Sequence, residues 1–486
     1  MRTRDNWLGH PGGLFLLFGT EMWERFSYFA MRALLVLYLV DRVSVQGGGM
    51  GWDQADALQL YGNFTMMVYV TPLIGGWLAD NHLGRRRAVL LGCLLMALGQ
   101  FCLALPHQWF VGQQSGLLYA GLALLVTGNG LFKPNISTMV GELYSQQDPR
   151  RDGAFTIFYL GINLGMFLAG LAVGWASDFF GSWQWHQGQR LWVRNYQAGF
   201  LLAGVGMLLA LALQLTLARR CLGRVGLKPV AEHPLRRQQG PAPPLTATER
   251  DRLKVILVMG LFTVIFWAGF EQAGGLMNLF ADRFVDREMG GTVLSPAYFQ
   301  SLNPLFIMIF APLLAGLWAG LGARQPSAPI KFALGLMLLG LGFVFMLAAV
   351  MDQRQTTDGL ASPWYLVMAY LFHTLGELCL SPIGLSMVTR LSPLRMASLL
   401  MGTWYLFMAA ANKLAGSLGA LIGSSRGGEE QQMLDNALAI FLGLTVVSLL
   451  AAVLLFWLTG PLLRWMHPDR ASDPSARSEP ILQKVS

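Results

Sequence analysis

Twelve stretches of twenty or more mostly apolar residues follow one another along this chain of 486 residues. A helix needs about twenty apolar residues to cross the hydrocarbon core of a bilayer. Because 54% of the residues are hydrophobic and only 13% are charged, we predict an all-α polytopic membrane protein with twelve transmembrane helices. The predicted runs are 14–40, 56–80, 86–105, 115–141, 153–176, 197–218, 254–281, 298–321, 330–350, 363–389, 397–423 and 434–463.

The basic residues are distributed unevenly between the two sides of this predicted topology. Of the 35 Lys and Arg residues, 24 fall on the termini and the even-numbered connections, 7 on the odd-numbered connections and 4 within the runs. Cytoplasmic segments carry the excess of basic residues in membrane proteins, so both termini are predicted to be cytoplasmic. Membrane orientation and contact with anionic lipid account for the net charge of +8, and we expect no nucleic-acid partner.

A polar, basic and proline-rich segment separates the sixth run from the seventh. Its composition is typical of a linker, and its position divides the runs into two groups of six. We therefore predict an N-terminal six-helix bundle over 1–218, a cytoplasmic linker over 219–253, a C-terminal six-helix bundle over 254–466 and a cytoplasmic tail over 467–486.

An internal repeat supports this division into halves. The sequence TPLIGGWLA at 71–79 recurs as APLLAGLWA at 311–319, so the second run corresponds to the eighth. The first copy leads into a G-x-x-x-D-x-x-x-G-R-R pattern that ends at Arg86. This pattern resembles the signature loop of the major facilitator superfamily. In it we interpret Asp80 and Arg85 as a conformational latch at the membrane surface.

Once the charges at the ends of the runs are assigned to the connections, eight charged residues remain inside the predicted runs, four acidic and four basic. A charge in hydrocarbon is costly and marks a functional site by default, and each ion needs a partner. Static ion pairs are the alternative, but apolar replacements of such pairs are often as stable. Lys413 fits either role, because a lysine near a bundle end can extend its ammonium to the interface. The eight residues are Glu21, Glu24, Arg25, Arg32, Lys133, Glu271, Glu377 and Lys413.

Lys133 directly precedes Pro134 in the fourth run. A proline disfavours helical geometry at the preceding residue and leaves a carbonyl without its donor. We therefore expect a kink that points the ammonium at a partner or a substrate carboxylate. Gly128 and Gly130 in the same run permit close approach of another helix.

The ordered set of motifs resembles the proton-coupled oligopeptide transporters, a branch of the major facilitator superfamily. Residues 21–28, EMWERFSY, fit the E-x-x-E-R-F-x-Y motif of that family. Residues 128–134 fit its G-x-G-x-x-K-P pattern, and residues 158–165 resemble its F-Y-x-x-I-N-x-G signature. The resemblance implies a major facilitator fold and proton-driven import of di- and tripeptides by alternating access.

The resemblance also implies roles for individual residues. Arg25, Arg32 and Lys133 would face the carboxylate of a peptide, whereas Asn163, Asn303 and Glu377 would receive its amino group. A zwitterionic peptide needs both groups of residues, because it carries a negative charge at one end and a positive charge at the other. The other peptide-binding residues implied are Tyr28, Tyr69, Trp267, Glu271, Ser381 and Trp404.

Proton coupling requires a buried carboxylate beside a base whose position changes. By the resemblance, Glu21, Glu24 and Glu271 are the proton carriers, Lys133 is the coupled base and Arg25 belongs to the same group. We expect Arg32 with Glu271, and Lys133 with Glu377, to form alternating gating pairs between the halves. The proton is the coupling ion, and no cofactor is expected.

Three departures from the family pattern concern the site. The family motif usually continues Tyr-Tyr-Gly, whereas this chain has Phe29 and Ala30 after Tyr28. Eukaryotic relatives carry a histidine where this chain has Gly62. His373 lies one helical turn before Glu377, and its role stays open.

Other functions remain as alternatives. The same superfamily includes carriers of nitrate, amino acids and drugs, and a membrane channel or enzyme is the alternative from another class. The sequence shows no enzymatic motif in a suitable context, and its four scattered cysteines indicate neither a disulfide framework nor a metal site. We expect a monomeric transporter in lipid, in the plasma membrane and most simply a bacterial inner membrane.

Overall fold

The computed structural model describes residues 6–41, 48–106, 109, 112–145, 148, 150–186, 189–227, 229, 245–289, 291–393, 396–421 and 430–467. Within these ranges the chain forms twelve helices of at least twenty residues, one shorter helix and three two-stranded hairpins. The helices are Gly12–Val40 (α1), Gln54–Leu78 (α2), Arg85–Ala104 (α3), Gln114–Glu142 (α4), Arg151–Phe179 (α5), Tyr196–Leu222 (α6), Ala247–Phe270 (α7), Leu276–Phe284 (α8), Leu302–Leu321 (α9), Ala328–Gln355 (α10), Pro363–Leu391 (α11), Ala397–Ala420 (α12) and Glu430–Met466 (α13). The strands are Asn6–Trp7 (β1), His10–Pro11 (β2), Ser182–His186 (β3), Gln189–Val193 (β4), Glu288–Met289 (β5) and Thr292–Val293 (β6).

The helical class predicted from the sequence is confirmed, and every predicted run overlaps a long helix. In the described part of the chain, nine helical stretches are long and apolar enough to cross a bilayer. The helices α1, α2 and α12 are not among them, and α1 contains four ionisable residues. The predicted total of twelve spans therefore stays a prediction.

The helices beside the predicted linker extend beyond the apolar runs. α6 continues to Leu222, and α7 begins at Ala247. The side chain of Thr246 accepts a hydrogen bond from the backbone of Glu249, whose side chain accepts from the backbone of Thr246. This reciprocal cap satisfies two donors at the helix start. Polar turns can thus extend a membrane helix beyond its apolar run. Hydropathy therefore identified the apolar part of each of these helices but not the residues at which the helix begins or ends. The middle of the linker, 230–244, lies outside the described residues.

The seventh predicted run, 254–281, lies within one helical stretch that is long and apolar enough to cross a bilayer, Ala247–Phe284, and this stretch is interrupted after Phe270. α7 ends at Phe270, a 3-10 turn covers Glu271–Gly274, and α8 begins at Leu276. A Cβ atom at Gly274 would come within 2.0 Å of the hydroxyl oxygen of Tyr61. Two consecutive glycines weaken a helix, and here they let the backbone approach α2 closely.

Two large groups of buried apolar side chains lie along the chain. The first is built almost entirely from residues between Leu14 and Leu222, and the second from residues between Val255 and Leu462. In the first, α1 packs on α5 and α6, and α3 packs on α4 and α6. In the second, α10 packs on α11 and α13, and α7 packs on α12 and α13.

Two sets of contacts join the two groups. In the first, α2 packs on α12. In the second, α5 packs on α9 and on the 3-10 turn Pro296–Ser301 that precedes α9. At the first of these, a Cβ atom at Gly62 would lie only 2.7 Å from the Cα of Gly416. The two helices can approach this closely only because both positions are glycine.

Candidate functional site

One buried cluster on α1 contains two carboxylates and one guanidinium. The Nε of Arg25 lies 2.7 Å from Glu21 Oε1 and 3.0 Å from Glu24 Oε2. Asn129 on α4 donates to the other oxygen of Glu24 at 3.0 Å. All three charged residues are at most 7% exposed. The helical spacing of the motif places these groups on one face, and two acids therefore share one base away from solvent.

Lys133 lies near this cluster and contacts an aromatic ring. Its Nζ is 4.2 Å from the centre of the Tyr69 ring, which is a cation–π contact. Glu377 accepts a hydrogen bond from Asn303 at 2.9 Å. The two gating pairs were predicted to alternate, so Lys133 and Glu377 are expected to be apart while Arg32 is paired with Glu271. The alternation stays a prediction. α4 continues as a helix through Pro134, without an interruption at Lys133.

The other predicted pair is present and joins distant parts of the chain. Arg32 on α1 donates from Nη2 to Glu271 Oε2 at 2.6 Å and from Nε to the hydroxyl of Tyr61 at 2.8 Å. Glu271 is the first residue of the 3-10 turn after α7. All three side chains are buried, so the break in the helix places a carboxylate against a base from the first half.

A cavity lies beside Arg32, between the two groups of helices. Phe29, whose ring centre is 5.3 Å from the guanidinium carbon of Arg32, is part of the wall. The cavity thus brings a cation from α1 near the amide of Asn303, which also donates to Thr374 at 3.0 Å. The lining residues are Phe29, Arg32, Met166, Phe270, Ala273, Gln300, Asn303, Tyr370, His373 and Thr374.

Several of these lining residues were not among the predicted peptide-binding residues. Gln300 donates to the carbonyl of Ala273 at 2.6 Å and to the hydroxyl of Tyr370 at 3.0 Å. His373, whose role the sequence left open, is 2% exposed and its ring centre lies 4.6 Å from that of Phe343. The polar positions of α11 at 370, 373, 374 and 377 share one face by helical spacing, which is the signal that could have identified them.

The remaining predicted peptide-binding residues do not line this cavity. Asn163 donates to the carbonyl of Tyr159 within α5, and the Tyr28 ring stacks on Phe64. Trp267 packs between aromatic neighbours on α7, and Trp404 lies in the second apolar group at 2% exposure. Ser381 is half-buried on α11.

The two predicted latch residues are in contact at the end of α2. Arg85 lies 3.0 Å from Asp80 and also pairs with Glu142, at the end of α4. Glu142 was not predicted. Lys413 on α12 donates to Gln59 at 2.9 Å and to Asn63 at 2.6 Å, both on α2. Its partners are thus side-chain amides of the other half.

A second network between the halves was missed from the sequence. Arg194, just before α6, lies 2.9 Å from Asp282 on α8 and 3.2 Å from Asp178 on α5. Asp178 also accepts from the backbone of Ser295 at 3.1 Å. Arg287 lies 3.1 Å from Asp282. These four charges fall at the ends of predicted runs, where hydropathy assigns them to loops, so no sequence pattern marked them as a set.

The two halves present groups of different charge at their interface. Arg32 presents a guanidinium from the first half, and Asn303 and Glu377 present oxygen acceptors and an amide from the second. A ligand with a negative and a positive end matches such a site. The cluster around Arg25 places two carboxylates against one guanidinium, so one more acid than base is buried there.

Comparison with known proteins places the chain among transporters. A family model described as the POT family matches residues 86–220 and 242–432. Peptide transporter YePEPT from Yersinia enterocolitica is 34% identical, over 94% of this chain and 96% of that protein. Dipeptide and tripeptide permease A from Cronobacter turicensis is 31% identical, over 94% of each chain. A crystal structure of a mutant of peptide transporter POT in complex with alafosfalin superposes with a TM-score of 0.83, at 35% identity, over 96% of this chain and 98% of that chain.

Proposed function

The chain belongs to the POT family of membrane transporters, and we propose that it imports di- and tripeptides together with protons by alternating access. The observation that carries the proposal is the bond between Arg32 and Glu271 at 2.6 Å. It joins the two halves beside a cavity that both halves line. A substrate carboxylate that binds Arg32 competes with Glu271, so binding and opening are linked.

Peptide selectivity follows from the two poles of the site. Arg32 and the nearby Arg25 and Lys133 attract the carboxylate of a peptide, and Asn303 with Glu377 accepts its amino group. The names of the peptide transporter from Yersinia enterocolitica and of the permease from Cronobacter turicensis agree with this substrate class. Di- and tripeptides fit because the distance between the poles limits the length of the ligand.

Proton coupling is assigned to the cluster around Arg25 together with Glu271. Among the described residues, Glu21 Oε2 is buried and accepts no hydrogen bond, whereas Glu24 Oε2 lies 3.0 Å from Arg25 Nε. Two buried carboxylates share this one base, and an excess buried anion is costly, so each acid is a position where a proton can bind. Protonation of Glu271 would release Arg32, and protonation of the cluster would release Lys133 for the peptide carboxylate.

The fold supports two six-helix bundles close to the predicted bounds 1–218 and 254–466, but α6 ends at Leu222 and α7 begins at Ala247, so the linker is shorter than 219–253. The two groups of buried apolar side chains follow this division. The two repeated segments lie on α2 and α9 with a proline inside each helix, Pro72 and Pro312. We assign twelve spans, both termini to the cytoplasm of a bacterial cell, and a monomeric carrier.

Uptake in proteoliposomes tests the proposal. Purified protein is reconstituted, and accumulation of a labelled dipeptide is measured under an inward proton gradient, with a protonophore as the reference condition. Glu21→Gln and Lys133→Ala are expected to abolish accumulation above equilibrium. The matched controls are Glu288→Gln and Lys254→Ala, since both side chains are exposed. Undiminished accumulation by Glu21→Gln or Lys133→Ala would refute the coupling assignment.

Competition distinguishes the substrate classes. Unlabelled di- and tripeptides should reduce labelled dipeptide uptake, and tetrapeptides or nitrate should not. Strong competition by nitrate would favour an anion carrier, and currents faster than carrier cycling would favour a channel.

A further inference from the structure

The connection between α5 and α6 is a hairpin with two chemically different faces. β3 pairs with β4 in antiparallel register, with Trp183 opposite Trp192 and Trp185 opposite Arg190. Directly opposed residues point to the same face of a sheet, and residues two apart in a strand do so as well. Three tryptophans and one arginine therefore occupy one face of this small sheet.

This tryptophan face, defined by Trp183, Trp185, Trp192 and Arg190, points away from the rest of the protein. The three rings are 59%, 74% and 43% exposed in the order of the chain. On the opposite face, Ser182, Gln184 and Leu191 are half-buried, and Gln184 donates to Ser182 at 3.0 Å. The hairpin thus turns its polar side chains toward the protein and its aromatic side chains outward. A face in contact with water normally carries polar side chains instead.

The tryptophan face continues an exposed aromatic stripe on α5. Trp175 and Phe179 are 52% and 65% exposed and stack with their centres 5.0 Å apart. Phe180 follows, at 5.1 Å from Phe179. A Cβ atom at Gly181 would lie 2.7 Å from the ring of Trp192, so the backbone there touches the hairpin ring. α5 is apolar enough to span a bilayer up to Phe179, and its outward face is therefore lipid-facing.

We infer that the tryptophan face of the β3–β4 hairpin is embedded in the headgroup region of the bilayer and anchors this end of the first half to lipid. Tryptophan is enriched at membrane interfaces because its ring is apolar and its indole N–H finds polar partners. The guanidinium carbon of Arg190 lies 5.9 Å from the centre of the Trp183 ring. From this position it can pair with lipid phosphate while its stem packs on the indole.

A protein partner fits the face less well than lipid does. The face is contiguous with a surface that already contacts hydrocarbon, and it stands at the residue where a membrane span ends. A second protein that bound this face would lie at the edge of the bilayer, so its own outer surface would also have to contact lipid. The inference does not depend on the transported substrate, because it concerns a surface remote from the cavity.

Spin-label accessibility in nanodiscs tests the inference on the full chain. A nitroxide is attached at Trp185→Cys, and the control label is attached at Gln184→Cys, the adjacent residue on the opposite face. Collision with oxygen, which concentrates in lipid, is compared with collision with a water-soluble nickel chelate. The unmutated chain is labelled in parallel, and its signal from the native cysteines is subtracted.

The label at 185 should show an oxygen-to-nickel ratio several-fold above that at 184. A label at Arg190→Cys retains all three tryptophans and should report the same preference, which covers the case that loss of Trp185 disturbs the hairpin. Equally low ratios at 184, 185 and 190 would place the face in water and overturn the inference. Spin–spin broadening at 185 that disappears on dilution with unlabelled protein would instead place a second copy on the face, and it would overturn the inference as well.

Discussion

Replacement of Arg194 by methionine should shift the protein toward the state in which the two halves are separated where Arg194 contacts Asp282. In the structure, Arg194 Nη1 lies 2.9 Å from Asp282 Oδ1, across the boundary between the halves. Its Nε lies 3.2 Å from Asp178 Oδ1, within the first half. Only the first of these contacts is broken when the halves separate, so only that contact biases the equilibrium between the two states.

The expected change in the ratio of the two states is set by the contact between Arg194 and Asp282. A hydrogen bond to a charged group contributes about 1.5–3 kcal/mol when it is buried. The side chains of Arg194 and Asp282 are 13% and 27% exposed, and solvent screening moves the value toward the lower end. A loss of about 1.5 kcal/mol changes the ratio of the two states about tenfold.

Pulsed electron paramagnetic resonance can measure this ratio directly. Labels at Gln113→Cys and Glu288→Cys report on opposite halves, because Gln113 precedes α4 and Glu288 lies in β5. Both side chains are exposed. Arg194→Met should add a longer distance to the distribution, and the ratio of long to short distances should rise about tenfold.

Arg287→Met is the matched control. Arg287 lies 3.1 Å from the same carboxylate of Asp282, but it belongs to the same half. Its loss should leave the ratio of the two distances unchanged. If Arg194→Met and Arg287→Met give the same distribution as the unmutated chain, the bond between Arg194 and Asp282 does not hold the halves together and the reasoning is wrong.

Two further predictions concern packing and positioning. Gly62→Leu places a side chain where Gly416 Cα is 2.7 Å from an ideal Cβ, and such overpacking costs about 1–3 kcal/mol. The half-life of the purified protein on heating should fall, whereas Gly443→Leu, where nothing lies within 4 Å, should leave it unchanged. Tyr61→Phe leaves the Nε of buried Arg32 without its 2.8 Å partner, which costs about 1.5–3 kcal/mol. The dipeptide concentration for half-maximal uptake should rise, and an unchanged value would show that Tyr61 does not position the guanidinium.

Much of the fold could be predicted from the sequence because bilayer thickness and backbone hydrogen bonding restrict the choices. The long helices fall where the apolar runs predicted them. The contact of Arg25 with Glu21 also follows from helical spacing, because the two residues are four positions apart. Gly128 and Gly130 indeed allow close helix contacts, with Cβ positions 2.6 Å from Met96 and 2.7 Å from Thr71.

The contacts that the sequence did not reveal depend on how distant segments meet. The hydroxyl of Tyr61 occupies the place that a side chain at 274 would take, so α2 packs closely against the break after Phe270. The ammonium of Lys133 lies against the Tyr69 ring, a contact that was not predicted. Neither contact leaves a local pattern, because the partners lie on different helices and far apart in the chain.

The sequence by itself therefore determined the helical membrane architecture, the charges inside it and their helical faces, since these depend on hydropathy and on a period of 3.6 residues. The tertiary structure decided which charges meet. Arg32 and Glu271 are 239 residues apart, and their contact at 2.6 Å exists only because an interrupted helix packs against α1 and α2. A buried charge must have a partner, but only the packing of the two halves determines which one it has.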